Sequence, residues 1–342
     1  MFLDKVKMKV SVFADFVVCL MTSHADDEQL FFAGVLPYYA GEKGLRVQVI
    51  YFTDHQNEPL RRHELLNGLW TVGVDHYPVI SPFPDKYSTS AQEALDQFEE
   101  SGYQYEDIVA FQVEMLRRFR PLVVVGHDPE GEYGHGQHRL NSATLQEAVM
   151  CAADAEKFPA SAEQYGTWQV PKTYLHLLEK DPVVMDWDVP LSSFDGQSAF
   201  QVTQKGFLCH ASQQYTKFRR WLYGDEEEIR AASQITTYSP CHYGLFYSTV
   251  GQDLQKNDFF ENLIPYDEQL RLAEEARLAE EVRLAEEARL AEEARLAEEA
   301  KQARERTERT VLILTASALA VASALAVGSA QRKKKVGRAK KF

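Results

Sequence analysis

Short apolar runs that stop on clusters of ionisable residues constrain this chain more than any other feature. Phe16-Val17-Val18-Cys19-Leu20-Met21 leads into Ser23-His24-Ala25-Asp26-Asp27-Glu28, and Val47-Gln48-Val49-Ile50-Tyr51-Phe52 closes on Thr53-Asp54-His55. Leu122-Val123-Val124-Val125 runs into a loop, 126–138, that holds three histidines, three acids and four glycines. Runs of this length and composition read as buried strands. Between them, residues 29–40, 60–72, 91–119 and 139–153 read as helices. Tyr77 to Ile80 reads as a short third strand, Lys172 to Leu177 as a later one, 201–223 as a helix and Tyr243 to Thr249 as an outer strand. Strands that alternate with helices predict an α/β fold, a mostly parallel sheet with helices on both faces.

An open α/β sheet carries its site at the carboxyl ends of its strands, where the ionisable clusters fall. His24 and Asp27 stand three apart at a strand-to-helix junction, so both can turn toward one cation. Asp26 lies between them, near the metal but free to handle a proton. In the second loop, the His135-x-x-His138 spacing can put one imidazole on the metal and the other beside it. Three protein ligands leave a coordination position open for water, as a catalytic zinc site requires. Taken alone, His24 and Asp27 read equally as a polar turn; the second cluster favours the metal. No Gly-rich dinucleotide fingerprint follows the first strand, so the fold implies no NAD.

These motifs resemble the PIG-L/LmbE-like family of zinc-dependent N-acetylglucosamine de-N-acetylases. The family's first motif is usually His-Pro-Asp-Asp-Glu, written here His24-Ala25-Asp26-Asp27-Glu28; its later His-x-x-His is His135-Gly136-Gln137-His138, preceded by Tyr133-Gly134. Arg61-x-x-Glu64 and Cys209-His210-Ala211-Ser212-Gln213 also fit, and the likeness runs from about residue 10 to 260. The departure is Ala25 for proline, which removes a φ constraint but no ligand.

The resemblance implies a Rossmann-like domain with Zn2+ on His24, Asp27 and His138. Asp26 is the implied general base, and His135 the neighbour that stabilises the oxyanion or protonates the departing amine. Arg61, Tyr133 and His210 are the substrate-contact candidates, although Arg61 also reads as a surface ion pair with Glu64. Glu28 reads as a residue that orients a ligand, His127 and Asp128 as loop-structuring. The implied reaction removes the N-acetyl group from an N-acetylglucosamine-type sugar or glycoconjugate. Two alternatives remain: a zinc hydrolase acting on a phosphate or peptide bond, and a membrane-displayed binding module with an inactive site.

The net charge of −14 is unevenly spread: +7 after position 330, −3 over 271–309 and −18 over 1–270. So acidic a body repels phosphate backbones and argues against nucleic acid as a partner. Cys19, Cys151, Cys209 and Cys241 show no metal-type spacing and read as free thiols. Met1 to Lys9 has lysines, but the apolar run after it is broken by Asp15 and leads into the metal motif, so a cleaved signal is not expected.

From these breaks the chain divides into a catalytic domain (1–268), a charged helical spacer (269–309), a transmembrane helix (310–330) and a basic tail (331–342). Arg-Leu-Ala-Glu-Glu-Ala recurs with period six from Arg271 to Ala300, with Val282 the one lapse. Its residues all favour helix, and Arg271 can reach Glu274 and Glu275. The period lacks the heptad seam of a coiled coil and predicts a solvated spacer roughly 55–60 Å long. Val311 to Ala330 is uncharged and long enough to span a membrane. The basic cluster after it favours a cytoplasmic C-terminus and a catalytic domain on the extracellular face, whereas the lack of an expected signal fits a tail-anchored cytosolic enzyme, which stays open as the alternative.

Overall fold

The computed structural model describes residues 18–263 and 266–338. Phe16 and Val17 of the expected first strand, the Met1–Lys9 stretch and the side chains of the basic tail lie outside the described residues. The chain forms two compact units, Met1–Leu270 and Arg271–Phe342.

In the first unit the strands are β1 (Val18–Thr22), β2 (Val47–Tyr51), β3 (Val79–Ile80), β4 (Val123–Gly126), β5 (Lys172–His176), β6 (Pro182–Val184) and β7 (His242–Ser248). Among the described residues these seven make one sheet, in the order β3-β2-β1-β4-β5-β7-β6. The pairs from β3 to β5 are parallel; β7 runs antiparallel to both β5 and β6. The run expected as an outer strand is therefore one in from the edge, because the three-residue β6, too short to announce itself, covers it.

The central strands read as continuous apolar runs because both faces are covered. Val18, Leu20, Val123 and Val125 pack into one core, Cys19, Met21 and Val124 into the core behind the sheet. In β1 and β4 the alternation only decides which core each side chain joins.

Three expected helices are interrupted. Residues 29–40 split into α1 (Asp27–Leu30) and a π-helical turn, Pro37–Glu42. Gly34 lies between them at φ 94, where a Cβ would meet the Trp187 ring at 2.3–2.8 Å; only glycine fits there. Residues 91–119 form two helices, Ala91–Glu100 and Tyr105–Phe119, parted at Gly102 with φ 92. Residues 201–223 also form two, Ala199–Leu208 and Thr216–Tyr223, with His210 between them and turned inward.

The second unit continues a helix, Tyr266–Arg338. Arg277, Arg283, Arg289 and Arg295 each bridge back to the glutamate at i−3 and forward to the one at i+4. Arginine was expected to reach forward to i+3 and i+4; helical side chains lean toward the N-terminus, which brings the i−3 carboxylate under the guanidinium. Leu278, Leu284, Leu290 and Leu296 are about half exposed, and the described residues of this repeat form no buried seam. Leu312, Leu319 and Leu325 are well exposed. Among the described residues one helix is long and apolar enough to cross a membrane, and Val311 to Ala330 is its apolar part.

Candidate metal centre

Three donor atoms meet at the carboxyl ends of β1 and β4. His24 Nδ1 lies 3.0 Å from Asp27 Oδ2 and 3.1 Å from His138 Nε2, and that Nε2 lies 3.1 Å from the same Asp27 oxygen. Tetrahedral ligands 2.0–2.1 Å from one ion stand about 3.3–3.4 Å apart, so this nearly equilateral triangle fits one small cation with little movement. All three residues are buried. Two imidazoles and a carboxylate suit zinc, and iron can occupy the same set.

The second nitrogen of His24 and of His138 is already committed, which fixes its tautomer. His24 Nε2–H donates to Gln137 Oε1 at 2.8 Å, and Gln137 is held in turn by donating to the Pro84 carbonyl at 2.7 Å. His138 Nδ1–H donates to Glu132 Oε2 at 2.8 Å. Glu132 also takes Nδ1–H of His127 at 2.8 Å and of His176 at 2.7 Å, all inside the core. Burial raises the Glu132 carboxyl, but His127 and hydrogen bonds from all three imidazoles bring it well below the usual range. Burial lowers His138, yet Asp27 and Glu132 hold its imidazolium up to about 10. Asp27 is likewise held low against its burial by His138 and His24.

His127 is near enough to be a fourth ligand, with Nε2 3.7 Å from Asp27. Both its nitrogens are occupied, however: Nδ1 by Glu132 and Nε2 by the Ser23 backbone N–H at 2.9 Å. His135 stands beside the triangle, its ring 4.7 Å from that of His24 and 4.8 Å from that of His138. Its Nδ1 accepts the Gln137 N–H at the start of the helix Gly136–Cys151, which leaves Nε2–H as a donor. Burial pushes its pKa down, so the ring is neutral.

Asp26 sits at φ 124, a conformation costly for a residue with a side chain. Four hydrogen bonds supply the stiffness that proline at position 25 would give. Asp26 N–H donates to Glu28 Oε2 at 2.9 Å, Arg61 Nη2 to the Ala25 carbonyl at 2.6 Å, His24 N–H to Asp27 at 2.7 Å and Asp27 N–H to the His24 carbonyl at 3.2 Å. Burial pushes the Asp26 carboxyl up to about 7, with Asp27 adding to the rise and Arg61, 3.8 Å away, opposing it.

His24, Asp26, Asp27, Arg61, Tyr133 and His135 line a cavity of about 240 Å³. His138 is fully buried and packs edge-on against Tyr133 of the cavity wall, the two ring centroids 5.4 Å apart. His210, expected at the substrate, does not line it: the residue is fully buried and its Nε2 meets Glu28 at 2.8 Å. Nor does Arg61 pair with Glu64, which is buried and takes both N–H and Oγ–H of Ser212. The Arg61-x-x-Glu64 and His210-to-Gln213 segments thus brace each other and, through Glu28, the turn that carries Asp26.

Glu132, Gln137 and His176 were not singled out from sequence. The available signal was chemical: a metal-bound histidine needs an acceptor for its other N–H, and Glu132 is an acid within the same loop as His138. Asp85, Tyr87, Lys217 and Phe218 on the cavity wall come from distant segments and gave none.

Residues 19–149 match the family described as PIG-L: GlcNAc-PI de-N-acetylase. A 1D-myo-inositol 2-acetamido-2-deoxy-alpha-D-glucopyranoside deacetylase of Saccharopolyspora erythraea is 28% identical over 204 residues, covering 54% of this chain and 72% of the relative. A protein of the same name from Streptomyces scabiei is 26% identical over 188 residues, 48% of this chain and 57% of its own length. Among solved structures, N,N'-diacetylchitobiose deacetylase from Pyrococcus horikoshii is similar with a TM-score of 0.48 and 16% identity, over 67% of this chain and 82% of that one. Both loops that carry the histidine and aspartate donors lie within residues 19–149, the part of this chain that matches the PIG-L family.

Proposed function

We propose that this protein is a zinc-dependent hydrolase that removes the N-acetyl group from an N-acetylglucosamine-type sugar or glycoconjugate. The observation that carries the reading is the triangle of His24 Nδ1, Asp27 Oδ2 and His138 Nε2, edges 3.0–3.1 Å, opening on a cavity flanked by Asp26 and His135. Relatives named as deacetylases of an acetamido sugar support the choice of bond.

Zinc bound to His24, Asp27 and His138 supplies Lewis acidity and makes a water nucleophilic near neutral pH. The chain's own groups do the rest. Asp26, a carboxyl at the cavity wall, accepts the proton of the attacking water. His135 donates Nε2–H to the amide oxygen as charge develops there. A proton returned from the Asp26 carboxyl leaves with the amine, and acetate is released. Tyr133 covers the His135 and His138 rings and excludes bulk water from one side. Charge at position 61 serves the turn, through the Ala25 carbonyl, as much as the ligand.

The proposal extends to the second unit: a charged spacer to 309, a membrane span at 310–330 and a basic tail on the cytoplasmic side, with the catalytic unit outside. Support comes from the exposed apolar helix and the lysines and arginines beyond 330.

The test is acetate release from a panel of N-acetylglucosamine conjugates, using chelated and zinc-restored protein and an Asp26→Ala control. Metal-dependent release, lost in the variant, is the expected result. A folded, zinc-loaded protein that releases no acetate from any conjugate would overturn the reading.

A further inference from the structure

One cation on the cavity rim has no role in the chemistry above. The helix Thr216–Tyr223 carries Lys217, Arg219 and Arg220 and no acid, within a segment, 1–270, of net charge −18. Arg220 pairs with Asp225 at 3.1 Å, and the Arg219 guanidinium lies 4.8 Å over the Tyr223 ring. Lys217 differs from both. It is exposed, it lines the cavity, and among the described residues no carboxylate forms an ion pair with it. Its Nζ lies 4.6 Å over the Tyr133 ring and 5.8 Å from the rings of Phe218 and Trp221. Among the described residues two permanent cations line this cavity, Arg61 and Lys217. Arg61 is engaged with the Ala25 carbonyl and lies near Asp26, which leaves Lys217 as the lining cation open to a ligand.

We propose that Lys217 is an anion subsite, and that the substrate carries a phosphate or carboxylate on the sugar carbon next to the one bearing the acetamido group. The inference rests on the deacetylase reading. With the amide held between Asp26 and His135, a substituent on the neighbouring carbon falls about one ring's width from the reacting bond. The Lys217 ammonium and the His135 ring both contact the Tyr133 ring, at 4.6 and 5.5 Å from its centroid, and both residues line the same cavity. The aromatic wall of Tyr133, Phe218 and Trp221 suits the apolar face of the sugar and holds the cation by its ring faces. A local positive helix also offsets the repulsion that an acidic body exerts on an anionic substrate.

The test measures binding to the full zinc-loaded chain, Lys217→Gln and Lys217→Glu, all in an Asp26→Asn background that blocks turnover. The probes are N-acetylglucosamine 1-phosphate, a carboxymethyl glycoside of N-acetylglucosamine and its uncharged methyl glycoside. Tryptophan fluorescence reads the site, since Trp221 packs 5.2 Å from Tyr133. Lys217→Gln is expected to lower the ratio of anionic to uncharged affinity about 5-fold, and Lys217→Glu to lower it further. Salt near about 1 M, where the Debye length is about 3 Å, should erode the parent's preference. A ratio unchanged in both variants overturns the assignment. Acetate release from the uncharged glycoside by the Asp26-containing chain reads deacetylation separately. Release with an unchanged ratio removes the anion subsite alone; a Lys217-dependent ratio with no release from any conjugate removes the deacetylase and keeps the subsite.

Discussion

Glu28 joins Asp26 to His210: its Oε2 accepts the Asp26 backbone N–H at 2.9 Å and its Oε1 the His210 Nε2–H at 2.8 Å. The bond to Asp26 spans a residue at φ 124, so Glu28 holds a costly backbone conformation that aims the Asp26 carboxylate at the cavity. His210, buried and far along the chain, orients that glutamate; burial lowers the His210 imidazole, but Glu28 beside it holds it above its ordinary value. On the proposed reading, a motif that looks like a run of acids is three different parts: Asp27 for the metal, Asp26 for the proton and Glu28 for the backbone.

Glu28→Gln should separate these roles. The two N–H groups meet different oxygens of Glu28, and a glutamine turns an NH2 toward one of them, so Asp26 loses part of its hold while the ligand triangle stays. Supporting residues of this kind typically cost about 10- to 100-fold when altered. We expect that fall in kcat for acetate release, with KM and bound zinc unchanged. A variant that loses zinc, or whose KM alone rises, would show that Glu28 serves something other than Asp26.

Asp26→Ala removes the proposed base but none of the three ligands. Turnover should fall about 10²- to 10⁴-fold while zinc stoichiometry remains that of the parent. His138→Ala should do the reverse in order: zinc is lost first, and activity with it. Metal analysis of both variants beside the rates distinguishes base from ligand, and loss of zinc in Asp26→Ala would contradict the division.

Glu132→Gln tests the buried centre of the second loop. It leaves three imidazoles sharing one neutral amide, and breaking a buried charge network in this way costs about 3–5 kcal/mol. Urea unfolding should show a lower midpoint, and zinc affinity should drop about 10- to 100-fold because His138 loses its acceptor. Unchanged unfolding with normal zinc binding would mean that His127, His138 and His176 are held by packing alone.

Much of this was legible because the two metal-facing loops each follow a strongly apolar strand, and strand ends are where a parallel sheet gathers its ligands. β1, β2, β4 and β5 were readable for the same reason. What the sequence hid was of two kinds. Helix breaks at Gly34 and His210 depend on a ring, Trp187, and a carboxylate, Glu28, that are remote in sequence. No local pattern announces them. The supporting shell was hidden too: Glu132 and Gln137 were visible in the loop, but their partners were defined only when β4, β5 and the helix Gly136–Cys151 came together. His210 illustrates both at once. Its motif was recognised, and its position beneath the turn, rather than at the substrate, follows from a loop that Glu64 ties down through Ser212.

The second unit gives the last prediction. Val311 to Ala330 is uncharged and its leucines are exposed, so in water it would offer apolar surface on every side. A bilayer removes that cost, and about 20 apolar residues match its hydrocarbon thickness. Leu319→Arg puts a charge near the middle of the stretch, at about 3 kcal/mol on an insertion scale. The parent chain should sediment with membranes and resist extraction at high pH; Leu319→Arg should shift toward the soluble fraction. Protease added to sealed cells then reads the side. Loss of the catalytic unit puts it outside, as the basic tail favours, and full protection puts it in the cytoplasm. A parent chain that stays soluble would overturn the span and with it the role of the charged helix as a membrane spacer.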